Sequence, residues 1–441
     1  MVRIRYEKKN ISFYIFFFFL SEVKAVNILD HETNIFINNV INTIKKVNNF
    51  QNKITFFIIL DDNPNAFINK NNKLYISTGL IKYTSSYEAM VGVIAHEIGH
   101  LSNFHISKKI ESSKKLQNLN KLGNMSIIAG SLIAKNSDYL IQSIVTNQLG
   151  INNYYQSFSR EQEREADFYS INTLNKLNVS NIPLIKFLEF LEKKSKEKGI
   201  TREYYKFSTH PIYKERYEII KKTANNNKKI FDKKMNDQFK NIQAKIFGFT
   251  TNDINELPEF LEDNYLNYAK SIALSRNGKL KESMVLLNRL IESKKNYSYA
   301  FETKADILYS YGYLNEALEF YKKIIKLHPD NHYVNKRIFN IKFTKSLQSV
   351  NMNTDEAFFN NYSYLLNIFI DDRDLKNKFN QLAKKNNKLD WIYYFSIDKR
   401  SYKNKSEIKM KISKLENLLK TTNDINLKKM IIYNINIIKD E

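Results

Sequence analysis

Two histidines four residues apart open the question of chemistry. They stand in Val91-Gly-Val-Ile-Ala-His96-Glu97-Ile-Gly-His100-Leu101. On a helix that spacing puts both imidazoles on one face, where they can grip a single ion. Glu97 then lies beside the metal, placed to accept a proton from an attacking water. HExxH is short enough to arise by chance on a surface helix. Here it follows apolar residues, with no charge between Val91 and His96, as burial of a site-bearing helix demands. A zinc ion held by two histidines needs a third protein ligand and an open fourth position. The best supplier is Ser159-Arg160-Glu161-Gln162-Glu163-Arg164-Glu165-Ala166-Asp167. Glu163 and Asp167 share one helical face. One can bind the ion while the other accepts the ring N–H of a ligand histidine and fixes its tautomer. Ala166 is small enough to let this helix approach the first. Glu161, Arg164 and Glu165 read as a solvated face, with Glu165 the rival ligand.

The rest of the composition agrees with a site built from His and carboxylates. Cysteine is absent, which removes disulfides, thiolate zinc, iron–sulfur clusters and a thiol nucleophile. A chain of 441 residues predicts two or three domains. With 43% hydrophobic and 13% aromatic residues, wholesale disorder is excluded. Only 10 Gly and 5 Pro argue against an all-β chain with many tight turns. The net charge of +23 comes from Lys spread among Asn and Ile. No basic–aromatic patch accompanies it, so no nucleic-acid partner is expected.

Elements that could position the site follow from the pattern. Arg3, Arg5, Lys8 and Lys9 precede the apolar run Ile11–Leu20, and small or aliphatic residues flank a cut after Ala25. Residues 1–25 therefore read as a signal peptide and imply export. Residues 52–62 and 73–77 read as strands around the turn Asn63-Pro64-Asn65, and helical periodicity takes over beyond Ser85. The short run Met125–Ala134 reads as a core helix, too short to span a bilayer. The polar stretch 223–234 places a boundary near residue 230. Beyond it, Gly278 and Gly312 begin similar segments 34 residues apart, the tetratricopeptide period. Ala305, Ala317, Tyr321 and Pro329 take the small, aromatic and terminating positions of the second copy. The fold expected is α+β: a mostly helical zincin-type metallopeptidase domain with a small β-sheet over 26–230, then an all-α tetratricopeptide-repeat domain over 231–441.

HExxH followed by an ExxxD helix resembles the gluzincin metallopeptidases, and the surroundings resemble the HtpX-related family. Asn65-Ala66-Phe67 with Thr78-Gly79-Leu80 is similar to that family's "NAF … TGL" segment. Ser208-Thr209-His210-Pro211 with Arg216 is similar to its "THP … R" segment. Exported members carrying C-terminal repeats match this layout best. The resemblance implies that His96, His100 and Glu163 bind one Zn2+, with Glu97 as general base and acid and Asp167 orienting His96. His210 would face the metal as a latch or as a transition-state donor, and Arg216 would support that region. Asn65, Ala66 and Phe67, with the strand after them, would form an edge that receives an extended peptide. His31, His105, His328 and His332 match no ligand spacing and read as structural or exposed.

The function expected is a periplasmic zinc endopeptidase acting on unfolded or misassembled envelope proteins. Its repeats would recruit clients or an outer-membrane assembly machine. The competing expectation is a periplasmic chaperone or adaptor with a latent or structural metal site.

Overall fold

Helix α1, His31–Val47, starts where Asp30 accepts a hydrogen bond from the Thr33 backbone N–H at 2.9 Å, satisfying an otherwise orphaned donor. Its buried stripe is Phe36, Ile37, Val40, Ile41 and Ile44, the 3.6-residue pattern of a helix with one apolar face. Three strands follow: β1 Thr55–Ile59, β2 Ala66–Ile68 and β3 Lys73–Ser77, in the order β1-β3-β2. β1 runs parallel to β3, and β2 runs antiparallel to it with Phe67 opposite Tyr75. The expected edge therefore narrows to β2, because the strand after Phe67 is central. Phe57, Tyr75 and Phe67 stack across one face at 5.3 and 4.7 Å between ring centroids.

The chain in the computed structural model is described over 28–103 apart from 29 and 70, at 105, over 158–197, in the short stretches 206–207, 210–211 and 218–222 apart from 219, over 232–293, 297–348 and 356–396 apart from 371 and 387, and over 405–440. The signal peptide 1–25, the Met125–Ala134 run and Arg216 lie outside the described residues.

β3 passes straight into helix α2, Thr78–Tyr83, through a tight corner. The Ser77 hydroxyl accepts from the N–H of Leu80 and of Asn65 and donates to the Asn63 carbonyl. A Cβ at Gly79 would stand 2.2 Å from the Asp62 carbonyl oxygen, so only glycine fits. Helix α3, Tyr87–Ser102, is capped by Ser86 and buried along nearly its whole length through His100. Helix α4, Arg160–Lys176, begins in a capping box formed by Ser159 and Gln162. Helix α5, Ile182–Glu197, sets Leu184 against Gly92 of α3. A two-stranded pair, β4 Lys206–Phe207 and β5 His210–Pro211, follows.

Helix α6, Lys233–Thr250, extends the first unit beyond the boundary expected near residue 230. Its Phe239, Ile242 and Ile246 join the α1 and α3 residues in one core, and Phe239 stacks on Phe36 at 5.3 Å. Gln243 donates to the carbonyls of Ile81 and Thr84. Compactness groups the residues on both sides of the polar stretch 223–234 into one unit. By compactness the first unit covers 1–250 with 258–265, and the second covers 251–257 with 266–441.

The second unit is helical among the described residues. α7 Asp263–Arg276 and α8 Leu280–Ser293 are joined at Gly278, and α9 Ser298–Ser310 and α10 Leu314–Leu327 at Gly312. Both glycines have positive φ, +81° and +83°, which an L side chain adopts only with strain. Ala305, Ala317, Tyr321 and Ile324 pack with Val334 and Ile338 of α11, His332–Gln348. Further helices continue to Asp440 around two more apolar clusters, centred on Phe339, Phe359 and Phe379, and on Leu415 and Ile431. The α+β architecture with a helical C-terminal half is as the sequence predicts. Among the described residues, no helix is long and apolar enough to cross a membrane.

Candidate metal centre

The site forms where α3 and α4 pack along a seam of small residues. A Cβ at Gly99 would come within 3.2 Å of the Ala166 Cα and 3.0 Å of the Tyr169 Cβ. Ala166 is itself fully buried. With no bulk between them, the two backbones approach closely enough for their polar side chains to meet. His96, His100 and Glu163 offer ligand atoms that all lie within 4.8 Å of one another. His96 Nε2 lies 3.1 Å from His100 Nε2 and 3.3 Å from Glu163 Oε2, and His100 Nε2 lies 3.8 Å from Glu163 Oε1. Bonds of 2.0–2.1 Å in a tetrahedral site put ligand atoms about 3.3 Å apart. The nearest approaches between the three groups, 3.1 to 3.8 Å, lie near that spacing, with different Glu163 oxygens facing the two rings.

The outer ring nitrogens decide what these groups can hold. His96 Nδ1 lies 2.9 Å from Asp167 Oδ1, so Nδ1 carries the proton and Nε2 presents its lone pair. His100 Nδ1 lies 3.0 Å from His105 Nδ1, which turns its Nε2 inward in the same way. Two imidazole lone pairs and a carboxylate therefore converge in a buried space. Such an arrangement repels itself unless a cation is shared, and its donors are the His and carboxylate set that zinc takes. The residues present fit the ion. Glu97, the next residue on α3, is also buried, at 3% exposure.

Asp167 faces the outer ring nitrogen of His96. Glu165, the rival ligand, has its Oε2 2.7 Å from His105 Nε2. His105, read from the sequence as structural or exposed, is fully buried against His100. Phe158 stacks on the His100 ring at 3.9 Å between centroids and 20° between planes. His105 follows His100 by five positions, beyond the end of α3 at Ser102, and helical spacing could not connect them. Asn65, Ala66 and Phe67 lie buried at and beside strand β2. His210 pairs in backbone register with Phe207. The sequence reading that places Arg216 near the site falls on a residue outside those described.

Comparison with known proteins agrees with this geometry. Residues 32–224 match peptidase family M48, a span that contains His96, Glu97, His100, Glu163 and Asp167. The first unit resembles an M48 peptidase. The chain is 22% identical over 286 residues to the beta-barrel assembly-enhancing protease of Escherichia coli K12, and equally to that of Shigella flexneri. Those alignments cover 62% of this chain and 58% of each relative. A Vibrio cholerae protein given the same name provisionally is 27% identical over 133 residues, covering 30% of this chain and 27% of its own. The chain thus spans less than two thirds of the length of each of these curated relatives.

Proposed function

We propose that the protein is an exported zinc endopeptidase of the cell envelope that cleaves unfolded or misassembled proteins. The convergence of His96, His100 and Glu163 carries the reading. When bound there, zinc supplies Lewis acidity, polarising a carbonyl and acidifying water. Glu97 takes the proton from the attacking water and returns it to the amine nitrogen that leaves. Asp167 holds the His96 ring in the tautomer that presents Nε2. His210, on β5, serves either as a latch ligand or as a donor to the developing oxyanion, with Arg216 supporting that region.

β2 supports the choice of an extended, locally unfolded substrate. Among the described residues it pairs only with β3, in a register that turns the backbone groups of Ala66 and Ile68 outward. A peptide strand can add at such an edge. The glycine-hinged helix pairs 34 residues apart support tetratricopeptide repeats in the second unit, which would gather clients or dock an outer-membrane assembly machine. The N-terminal basic and apolar pattern supports a signal peptide cleaved after Ala25 and a periplasmic location.

Zinc content and casein cleavage of the wild type and Glu97→Gln test the reading. Zinc in both, with cleavage only by the wild type, is expected. Equal cleavage by the two removes the role of Glu97. Bound zinc with no cleavage by either points to a chaperone or adaptor, the reading that the large helical unit favours.

A further inference from the structure

The two histidines of the cluster are held differently. His96 meets its carboxylate directly, through Asp167. The Nδ1 of His100 instead faces the Nδ1 of His105, whose Nε2 faces Glu165. We propose that His105 and Glu165 are a positioning pair for His100, a relay in which a second imidazole stands between the ligand and its carboxylate. The proposal rests on the reading of His100 as a metal ligand.

With His100 as a ligand, one arrangement of neutral rings satisfies the contacts that follow. If His100 presents the lone pair of Nε2 to an ion, its Nδ1 must carry hydrogen. That hydrogen has His105 Nδ1 as its acceptor at 3.0 Å. His105 must then carry its own hydrogen on Nε2, which donates to Glu165 Oε2 at 2.7 Å. Both rings are neutral, and the carboxylate end fixes both tautomers in series. The opposite arrangement would turn a hydrogen of His100 toward His96 Nε2, where no ion could be shared. His105 is not itself a ligand, because it sits at the ring edge of His100 opposite Nε2. It is fully buried, so an unmatched ring nitrogen there would cost a full desolvation penalty. Glu165 stands at the water boundary with 44% side-chain exposure, which keeps its carboxylate hydrated on one side while it orients the buried pair. The ring plane of His100 is fixed separately by Phe158, leaving the rotation of the Nδ1–Nε2 axis to His105.

Zinc affinity of the full chain, measured by competition with a chromophoric chelator, and the visible absorption of the cobalt-substituted protein provide the test. His105→Phe keeps the ring volume and removes the acceptor, and weakens zinc binding by about 10–100-fold. His105→Asn places an amide oxygen where Nδ1 stood and restores most of the affinity, a contrast that loss of packing alone would not produce. Glu165→Ala, at a half-exposed position the fold tolerates, weakens binding in the same direction by a smaller factor and alters the cobalt spectrum. Should His105→Phe fail to fold, Glu165→Ala alone decides. Wild-type affinity and spectrum in Glu165→Ala, or in a folded His105→Phe, would overturn the pair while leaving the metallopeptidase reading intact. A wild type that takes up no zinc would remove that reading, and the pair with it.

Discussion

The Ser170 hydroxyl of α4 donates to the carbonyl of Gly92 in α3 at 2.7 Å, buried within the seam between the two helices. Two turns further along α3, Gly99 makes its close approach to Ala166 and Tyr169. These two points set the spacing at which Glu163 reaches the histidines. Gly99→Val therefore pushes α3 from α4 and spreads the site. We expect a loss of about 1–3 kcal/mol in urea unfolding, the usual scale for overpacking, together with loss of stoichiometric zinc. Normal zinc content in a destabilised protein would show that the site does not depend on the seam.

On the zinc reading, Asp167 acts on the ion through His96. In Asp167→Asn the oxygen that accepts from Nδ1 can remain, but the charge that strengthens the bond is gone. Zinc affinity should fall by about 10–100-fold while the apo protein keeps its melting temperature to within a few degrees. Chelator competition and a thermal melt of the metal-free protein read the two quantities separately.

Far from the site, Lys245 of α6 lies 3.0 Å from Asp30 and 2.8 Å from Glu32 at the start of α1. Burial alone would raise the Asp30 carboxyl, but Lys245 and the Thr33 hydrogen bonds outweigh it and hold the group below its ordinary 3.8. As pH falls past 3.8 the unfolded chain binds the proton first. The stability that Asp30 contributes is thus whole at neutral pH and is lost as pH drops through its folded value. Asp30→Asn should unfold more easily at pH 7, by about 1–3 kcal/mol, and show a shallower acid limb. Urea midpoints measured across the acid range check both; parallel curves for the two proteins would count against the pairing.

These contacts show where the sequence was readable. His96, Glu97 and His100 were legible because helical periodicity alone brings them together. Glu163 and Asp167 were legible as a face, though not as an assignment of roles. The relay was hidden, since His105 comes after α3 has ended and its partner Glu165 belongs to the side of α4 that charge patterning gives to solvent. The two strands were legible from β-branched and aromatic runs. β2 itself, Ala66–Ile68, is too short for alternation to declare. The boundary expected near residue 230 rests on polarity alone, which does not distinguish a link between units from one within a unit. Only Phe239, Ile242 and Ile246 packing on α1 and α3 show which unit α6 joins.

Gly312 permits a test in the second unit. Nothing lies within 4 Å of where its Cβ would be, so Gly312→Ala meets no clash and suffers only the cost of its positive φ, +83°. About 1 kcal/mol should be lost, with Gly312→Asn losing less because asparagine tolerates that region better. Denaturation followed by far-ultraviolet circular dichroism measures the order of the three proteins; an alanine variant as stable as wild type would contradict the assigned backbone.

His105 and Phe158 bracket residues 106–157, and both rest on the His100 imidazole, with their own ring centroids 6.3 Å apart. The chain before residue 106 and the chain after residue 157 thus meet on one imidazole of the cluster. Closure entropy grows only logarithmically with length, so doubling the stretch joined between two such anchors costs about 0.6 kcal/mol. A change in the number of residues between the anchors should therefore reach His100 with almost no thermodynamic signal.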